Sequence, residues 1–382
     1  MYTPSLQVIL TPPVPRSRHR RNIHLPAVFN AVKISSMENY KLEDYDYEFP
    51  KELIAQHPVE KRDSSRMLVL DRASGSIKHS VFKSITGYLS PGDCVVINNT
   101  RVLPANIEGR SEKNNAAISI LVLEHLSGCR WEVLMKNSRR VNEGDGVAFS
   151  GGIRLTLVKK KGRTVEVEFN FDRDELIKKL KISGSMPLPP YIKNDLKNKI
   201  HRERYQTVYA SEDGAKAAPT AGLHFTPDII SELEKKGVNI APVTLHVGIG
   251  TFASIEADDI REHKMHSETI EITGNSADKI NAARSSGKKI AAVGTTSMRT
   301  IESAGDDKGK IKAFSGETGI YIYPGYRFKA VDMLLTNFHL PHTSLLVLVS
   351  AFGGYDNIRK AYAEAIREKY RLFSYGDAML IK

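Results

Sequence analysis

Cysteine is scarce: Cys94 and Cys129 are the two in 382 residues, with no disulfide framework and no metal-ligand spacing between them. That usage fits a reducing compartment, and a cytoplasmic location is the expectation. Long apolar runs are missing as well. The longest, Leu345 to Phe352, is too short to cross a bilayer and predicts a buried strand. No G-K-[ST] is present, so a P-loop is excluded, and no H-E-x-x-H suggests a zinc site. A glycine-rich nucleotide loop after an early strand is not evident either, which weighs against an ordinary methyltransferase. Acidic residues are absent from the first 37 positions, where Arg16, Arg18, Arg20, Arg21 and Lys33 contribute +5 of the net +11.

What is present is a globular composition, 41% hydrophobic, long enough to bury a full core in two or three domains. Residues 1–36 stand apart, rich in proline and arginine without periodicity. A transit peptide and a basic nucleic-acid arm both compete for them, but they read best as an extension upstream of a working start at Met37. The remainder carries +6, basic enough to attract a polyanion without identifying one.

Phe49 to Ile54 opens a short helix, Met67 to Leu70 is a strand, and Glu60 to Arg66 between them reads as a solvated charged connection. A strand at Val95 to Ile97 ends in Asn98-Asn99-Thr100-Arg101, either a recognition group or a turn. From 101 to 185, short apolar runs such as Ile118–Leu123 and Trp131–Met135 alternate with turn signals such as Ser127-Gly128 and Gly151-Gly152. That spacing predicts a small antiparallel barrel or sandwich. A stiff Met186-Pro-Leu-Pro-Pro-Tyr-Ile192 connector leads on. Between Lys178 and Arg204, eight Lys/Arg face Asp195 and Glu203, with Tyr191 and Tyr205 interspersed. A groove for single-stranded nucleic acid has this composition, and so does a solvated face.

The densest stretch runs from Ala218 to Phe252. Two echoes, Pro219-Thr-Ala-Gly-Leu-His-Phe225 and Thr244-Leu-His-Val-Gly-Ile-Gly-Thr-Phe252, each set a histidine among glycines, threonines and an aromatic. Between them, Thr226 as N-cap, Pro227 at the first turn and Gly237 as stop predict a helix, and Val238 to Leu245 a strand. Histidines at strand ends of an α/β sheet suit a ligand site. Two satisfied core histidines in tight turns would give the same pattern. Downstream, His263 and His266 would share a face if helical, a minority metal reading. The strand Lys289 to Val293 runs into Gly294-Thr-Thr-Ser297, with a helix from Met298 and Arg299, a good anion site or an ordinary N-cap. A last helix is expected from Asp356 to about Tyr370. These units make an α/β main domain, 38–100 and 186–382, with an inserted antiparallel β-barrel domain at 101–185.

The polar strand tips, together with Met186 to Ile192, Glu203 to Tyr209, His263 to Glu268, Thr336 to Pro341 and Ser374 to Met379, closely resemble the S-adenosylmethionine:tRNA ribosyltransferase-isomerase family of bacterial queuosine biosynthesis. The likeness runs in order from about Tyr45 to the C-terminus, and residues 1–36 have no counterpart in it. It implies transfer of the ribosyl part of S-adenosylmethionine to 7-aminomethyl-7-deazaguanine at the wobble position of a tRNA anticodon, with isomerisation to epoxyqueuosine and release of adenine and methionine. S-adenosylmethionine is then a substrate. No metal or redox cofactor, membrane or obligate protein partner is implied.

That chemistry asks for a base at the acidified C5′ position, an acid for adenine, and deprotonation of the acceptor amine. His224, His246 and Asp377 are the candidates, with His266 and Glu268 behind them. Thr295, Thr296 and Arg299 are expected at the methionine carboxylate and ribose hydroxyls. Asn99 and Arg101 would face substrate between the domains, and Thr220, Gly248, Thr251, Asn337 and His339 complete the substrate set. Tyr191, Lys197, Lys199, Arg202 and Arg204 are the tRNA candidates. A non-catalytic RNA-binding protein is the rival from another class.

Overall fold

The computed structural model describes residues 39–193, 199–248, 250 and 253–382. Residues 1–36, expected to be an upstream extension, and Met37, together with Lys197, Thr251 and the side chain of Lys199, lie outside the described residues.

In chain order, single 3-10 turns at Leu42–Tyr45 and Lys51–Leu53 precede β1 (Arg66–Asp71) and β2 (Ser76–Val81). The helix expected from Phe49 is thus one short turn. β3 (Cys94–Asn98) and β4 (Thr100–Val102) enter a barrel of β5 (Asn106–Ser111), β6 (Ala117–Ser127), β7 (Arg130–Lys136), β8 (Gly146–Phe149), β9 (Arg154–Lys161) and β10 (Thr164–Phe169). Then come α1 (Arg173–Ser183), α2 (Lys199–Arg204), β11 (Glu212–Ala215), α3 (Pro227–Lys235), β12 (Asn239–Leu245), β13 (Glu268–Ile272) and α4 (Gly274–Ser285). The chain ends through β14 (Ile290–Val293), α5 (Gly294–Ala304), β15 (Phe314–Thr318), β16 (Met333–Asn337), α6 (Ser344–Gly353), α7 (Tyr355–Arg367) and β17 (Ala378–Ile381).

A nine-stranded mixed sheet has the order β15-β13-β12-β3-β14-β16-β17-β1-β2. Its centre, β12, β3, β14 and β16, is parallel, so four carboxyl ends share one edge. β17 runs antiparallel to β16 and parallel to β1. Because side chains alternate across a strand, β3 sends Cys94 and Val96 to one hydrophobic layer and Val95 and Ile97 to the other. Helices α4 to α7 cover the first face and α3 the second. The α3 start forms as its sequence predicts: Thr226 Oγ1 accepts from Ile229 N at 3.2 Å, with Pro227 in the first turn.

The barrel closes in the order β10-β7-β6-β5-β8-β9, antiparallel throughout, around Ile120, Val133, Val147, Leu157 and Val167. α1 adds Leu176 and Leu180 to that core. β4 pairs in parallel with β11 at the junction. Asn98 clasps it: its Oδ1 accepts from Leu245 N and Thr100 N, each at 3.1 Å, and its Nδ2 donates to Leu245 O at 3.0 Å.

Two sequence expectations fail here. The apolar run expected as a strand at Leu345 forms helix α6, capped by Thr343, whose Oγ1 accepts from Leu346 N at 3.4 Å. Its residues are buried almost all round, which erases the 3.6-residue period that would have revealed it. The other concerns α5, which begins at Gly294 rather than Met298, so Thr295, Thr296 and Ser297 form its first turn. Among the described residues no helix is long and apolar enough to cross a membrane.

Candidate active site

The carboxyl edge of the parallel strands opens into a cleft. β16 brings Thr336 and Asn337, the β14–α5 corner brings Gly294, Thr295 and Thr296, and the 3-10 turn after Pro219 brings Thr220 and Ala221. Val247, Tyr191, His339, Leu345 and Ser374 complete its walls. Ligands bind at this edge of open α/β sheets because strand ends leave loops and helix N-termini facing one space.

The start of α5 carries no side-chain cap, so its first N–H groups meet the cleft uncapped by any side chain. Thr296 Oγ1 is buried there without a partner. Arg299, one turn further on, is 4% exposed. Its Nη1 pairs with Glu268 Oε2 and its Nε donates to Ile320 O at 3.3 Å, while Nη2 is buried without a partner. Glu268 Oε1 accepts from Gly248 N at 3.0 Å. Two residues expected in separate roles, Glu268 as a proton-transfer group and Arg299 as a carboxylate holder, therefore form one buried ion pair that anchors Gly248.

His224 is 5% exposed and stacks on Phe82 with ring centroids 5.1 Å apart. The Asn337 amide donates to its Nε2 at 3.3 Å, so Nδ1 carries the proton toward Ser65 Oγ at 2.7 Å. Burial first, then the nearby Arg62 and Arg371, push its pKa down to about 4. It lines a second, smaller cavity rather than the main cleft. Asp377 is also buried, and desolvation raises its pKa. Its Oδ1 and Oδ2 accept from Arg66 N and Arg371 N, each at 2.9 Å, so it fastens the 371–377 loop to β1. His339 lines the cleft, its Nε2 at 2.8 Å from Thr336 Oγ1, and burial pushes its pKa to about 3.

His246 is half-buried and lies outside the cleft lining, although the next residue, Val247, is in it. Its Nδ1 sits 2.8 Å from Thr100 Oγ1. Gly214 passes so close that a Cβ there would lie 2.6 Å from Nδ1. Desolvation lowers the His246 pKa, and the cation of Lys216 adds to it. Lys216 is itself pushed down to about 8 by burial, against the opposing pull of Glu124. The sequence reading missed Lys216. Its signal was a lone charge among Gly214, Ala215, Ala217 and Ala218.

His266 is exposed, and the segment after the Ile260–Glu262 turn leaves the helix at His263, so the pair His263/His266 shares no helix face. Asn99 and Arg101 hold the junction instead of facing the cleft. Asn99 Oδ1 accepts from Thr244 Oγ1 at 2.7 Å and its Nδ2 donates to Ser211 Oγ at 3.0 Å. Arg101 Nη2 donates to Ala210 O at 2.5 Å. Tyr191, expected on tRNA, lines the cleft with its hydroxyl 2.6 Å from Ser374 Oγ. Arg202 holds the end of α1 through Lys181 O at 2.8 Å, Ile182 O at 3.1 Å and Gly184 O. Arg204 holds Glu60 O at 3.0 Å and Val59 O at 2.6 Å. Among the described residues no three His, Cys, Asp or Glu side chains gather as a metal centre.

Fold and cleft together define an α/β protein with a barrel insert and a small-ligand site at the sheet's carboxyl edge, bordered by an uncapped helix start. The family model described as queuosine biosynthesis protein matches residues 42–381. S-adenosylmethionine:tRNA ribosyltransferase-isomerase of Clostridium kluyveri is 50% identical over 343 residues, 89% of this chain and 99% of that one. The Clostridioides difficile protein of the same name is 48% identical over 346 residues, 90% of this chain and all of that one. A crystal structure of S-adenosylmethionine tRNA ribosyltransferase from Thermotoga maritima, 36% identical, covers 89% of this chain and 100% of its own, with a TM-score of 0.51. The chain belongs to the queuosine biosynthesis protein family.

Proposed function

We propose that this chain is an S-adenosylmethionine:tRNA ribosyltransferase-isomerase. It moves the ribosyl moiety of S-adenosylmethionine onto 7-aminomethyl-7-deazaguanine at the tRNA wobble position, rearranges it to epoxyqueuosine, and releases adenine and methionine. The observation that carries the reading is half-identity to enzymes of that name along nearly their whole length. S-adenosylmethionine enters as a consumed substrate, and no resident cofactor is needed.

The reaction must bind a zwitterionic sulfonium nucleoside and move protons near neutrality. The methionine carboxylate fits the uncapped start of α5, where Thr295 and the unpartnered Thr296 Oγ1 offer donors and Arg299, buried one turn further on with Nη2 unpartnered, stands behind them. Thr220, Asn337 and Tyr191 border the same space for the sugar and base. Among the acid/base candidates, His224, Asp377 and Glu268 already have their polar atoms engaged by protein groups. They are assigned to positioning. Two candidates are left: His266 is exposed, whereas His246 is half-buried next to the cleft-lining Val247 and oriented by Thr100, with Lys216 beside it. We assign His246 as the base, kept unprotonated by its burial, with the Lys216 cation beside it adding to that effect. The test is adenine release from S-adenosylmethionine in the presence of precursor tRNA. Release of S-adenosylhomocysteine instead would make the protein a methyltransferase, and tRNA binding without either product would make it a binding module.

A further inference from the structure

Behind His224 lies a second, smaller hollow, open to solvent and lined by Arg62, Arg204, Ser374 and Tyr375 among others. Ser374 also lines the main cleft, so the two spaces adjoin. The sequence suggested a solvated loop for Arg62. Instead its guanidinium turns inward, donating to Leu223 O at 2.9 Å and Glu203 O at 3.1 Å. Arg204 is held by Val59 and Glu60 carbonyls, and Arg371, close enough to depress His224, by His57 O. Carbonyl oxygens aim these three cations without neutralising them. Among the described residues none of the three forms a salt bridge with a carboxylate. Asp377, beside Arg371, has both oxygens on backbone N–H groups. Burial first, then the Arg204 charge, push the Arg62 pKa down against the weaker opposing pull of Glu203. Two cationic donors, Arg204 Nε and Arg371 Nη1, are buried with no partner. Leaving charged donors unpaired is costly, and such a cluster asks for an anion.

We infer that the pocket lined by Arg62 and Arg204, with Arg371 close behind His224, is an oxyanion site that takes a backbone phosphodiester of the tRNA, one flanking the nucleotide whose base enters the main cleft. Base and flanking phosphate of one nucleotide are joined through a single ribose, which matches two adjoining cavities sharing Ser374. Arginine's planar fork suits phosphate oxygens. The methionine carboxylate is the other anion available. It carries an ammonium on the same carbon, which three guanidiniums repel and no free carboxylate of the cavity receives. The inference rests on the tRNA acceptor of the proposed function.

The experiment measures binding of an anticodon stem-loop carrying 7-aminomethyl-7-deazaguanine across a salt series, for the wild-type chain and for Arg204→Gln and Arg62→Gln. RNA affinity should fall about tenfold or more, and the log–log salt slope should become shallower by roughly 0.7 for the lost phosphate. S-adenosylmethionine affinity should hold within about twofold. Because these arginines also hold carbonyls, a methylphosphonate scan of the RNA against the wild-type protein provides the second arm. One uncharged linkage beside the wobble nucleotide should reproduce the loss, and Arg204→Gln should add nothing further on that RNA. A flat scan, or folded variants with unchanged slope, overturns the assignment. A loss confined to S-adenosylmethionine overturns it in favour of the carboxylate. Adenine release with a flat scan sinks only the pocket, whereas a positive scan without adenine sinks only the proposed reaction.

Discussion

Glu268 and Arg299 provide the sharpest energetic test. Their side chains are 6% and 5% exposed, and the pair joins the start of β13 to α5 and to Gly248 N. Arg299→Met removes the cation at similar volume and leaves a buried carboxylate with one N–H donor. Glu268→Gln leaves the guanidinium buried with a neutral amide. Removing one member of a buried pair costs about 3–5 kcal/mol, whereas an exposed pair is worth about 0–1 kcal/mol. The double change Glu268→Met with Arg299→Met buries no orphan charge and should recover part of the loss, a non-additivity of about 1–3 kcal/mol. Urea unfolding followed by far-UV circular dichroism measures this, with constant m as the check that stability alone has changed. Trp131 fluorescence reports the barrel, which holds the chain's one tryptophan, and should shift far less. If either single variant loses under about 1 kcal/mol, the pair behaves as a solvated one and its anchoring of Gly248 is wrong.

His246→Ala should lower adenine release by about 10²–10⁴-fold with the fold intact, and a loss within about tenfold would remove His246 as the base. Gly214→Ala, which crowds the same ring, should reduce turnover in the same assay. Acid should destabilise the chain in a defined window. His224 and His339 are held below their ordinary 6.5, at about 4 and about 3, so the unfolded chain binds protons the native one refuses. Stability should therefore fall as pH drops through 6.5 and keep falling toward about 4, by up to about 1.4 kcal/mol per unit for each histidine. His224→Gln should flatten that slope in pH-dependent urea melts, and an unchanged slope would contradict the buried neutral imidazole.

Much of the architecture was legible because its signals were local. The turn pairs of the barrel, the Thr226–Pro227 start and the Gly237 stop each act through backbone geometry within a few residues. Leu345 to Ser350 was misread because a helix buried on every side has no polar face to betray its period. The site was legible as a set of strings and not as roles. Asn99, Arg101 and Arg202 carry the polar groups expected of recognition residues, yet their partners are main-chain or junction atoms distant in sequence. Whether a guanidinium such as Arg62 faces water or a cavity depends on packing against residues more than a hundred positions away, here Leu223 and Glu203. No local pattern records that.

The fate of the sugar decides the central claim. Purified chain should be given precursor tRNA with S-adenosylmethionine labelled either in the ribose or in the methyl group. The ribose label should appear in the tRNA, with the methyl label leaving as methionine. Methyl label in the tRNA, or no label there at all, would contradict the account.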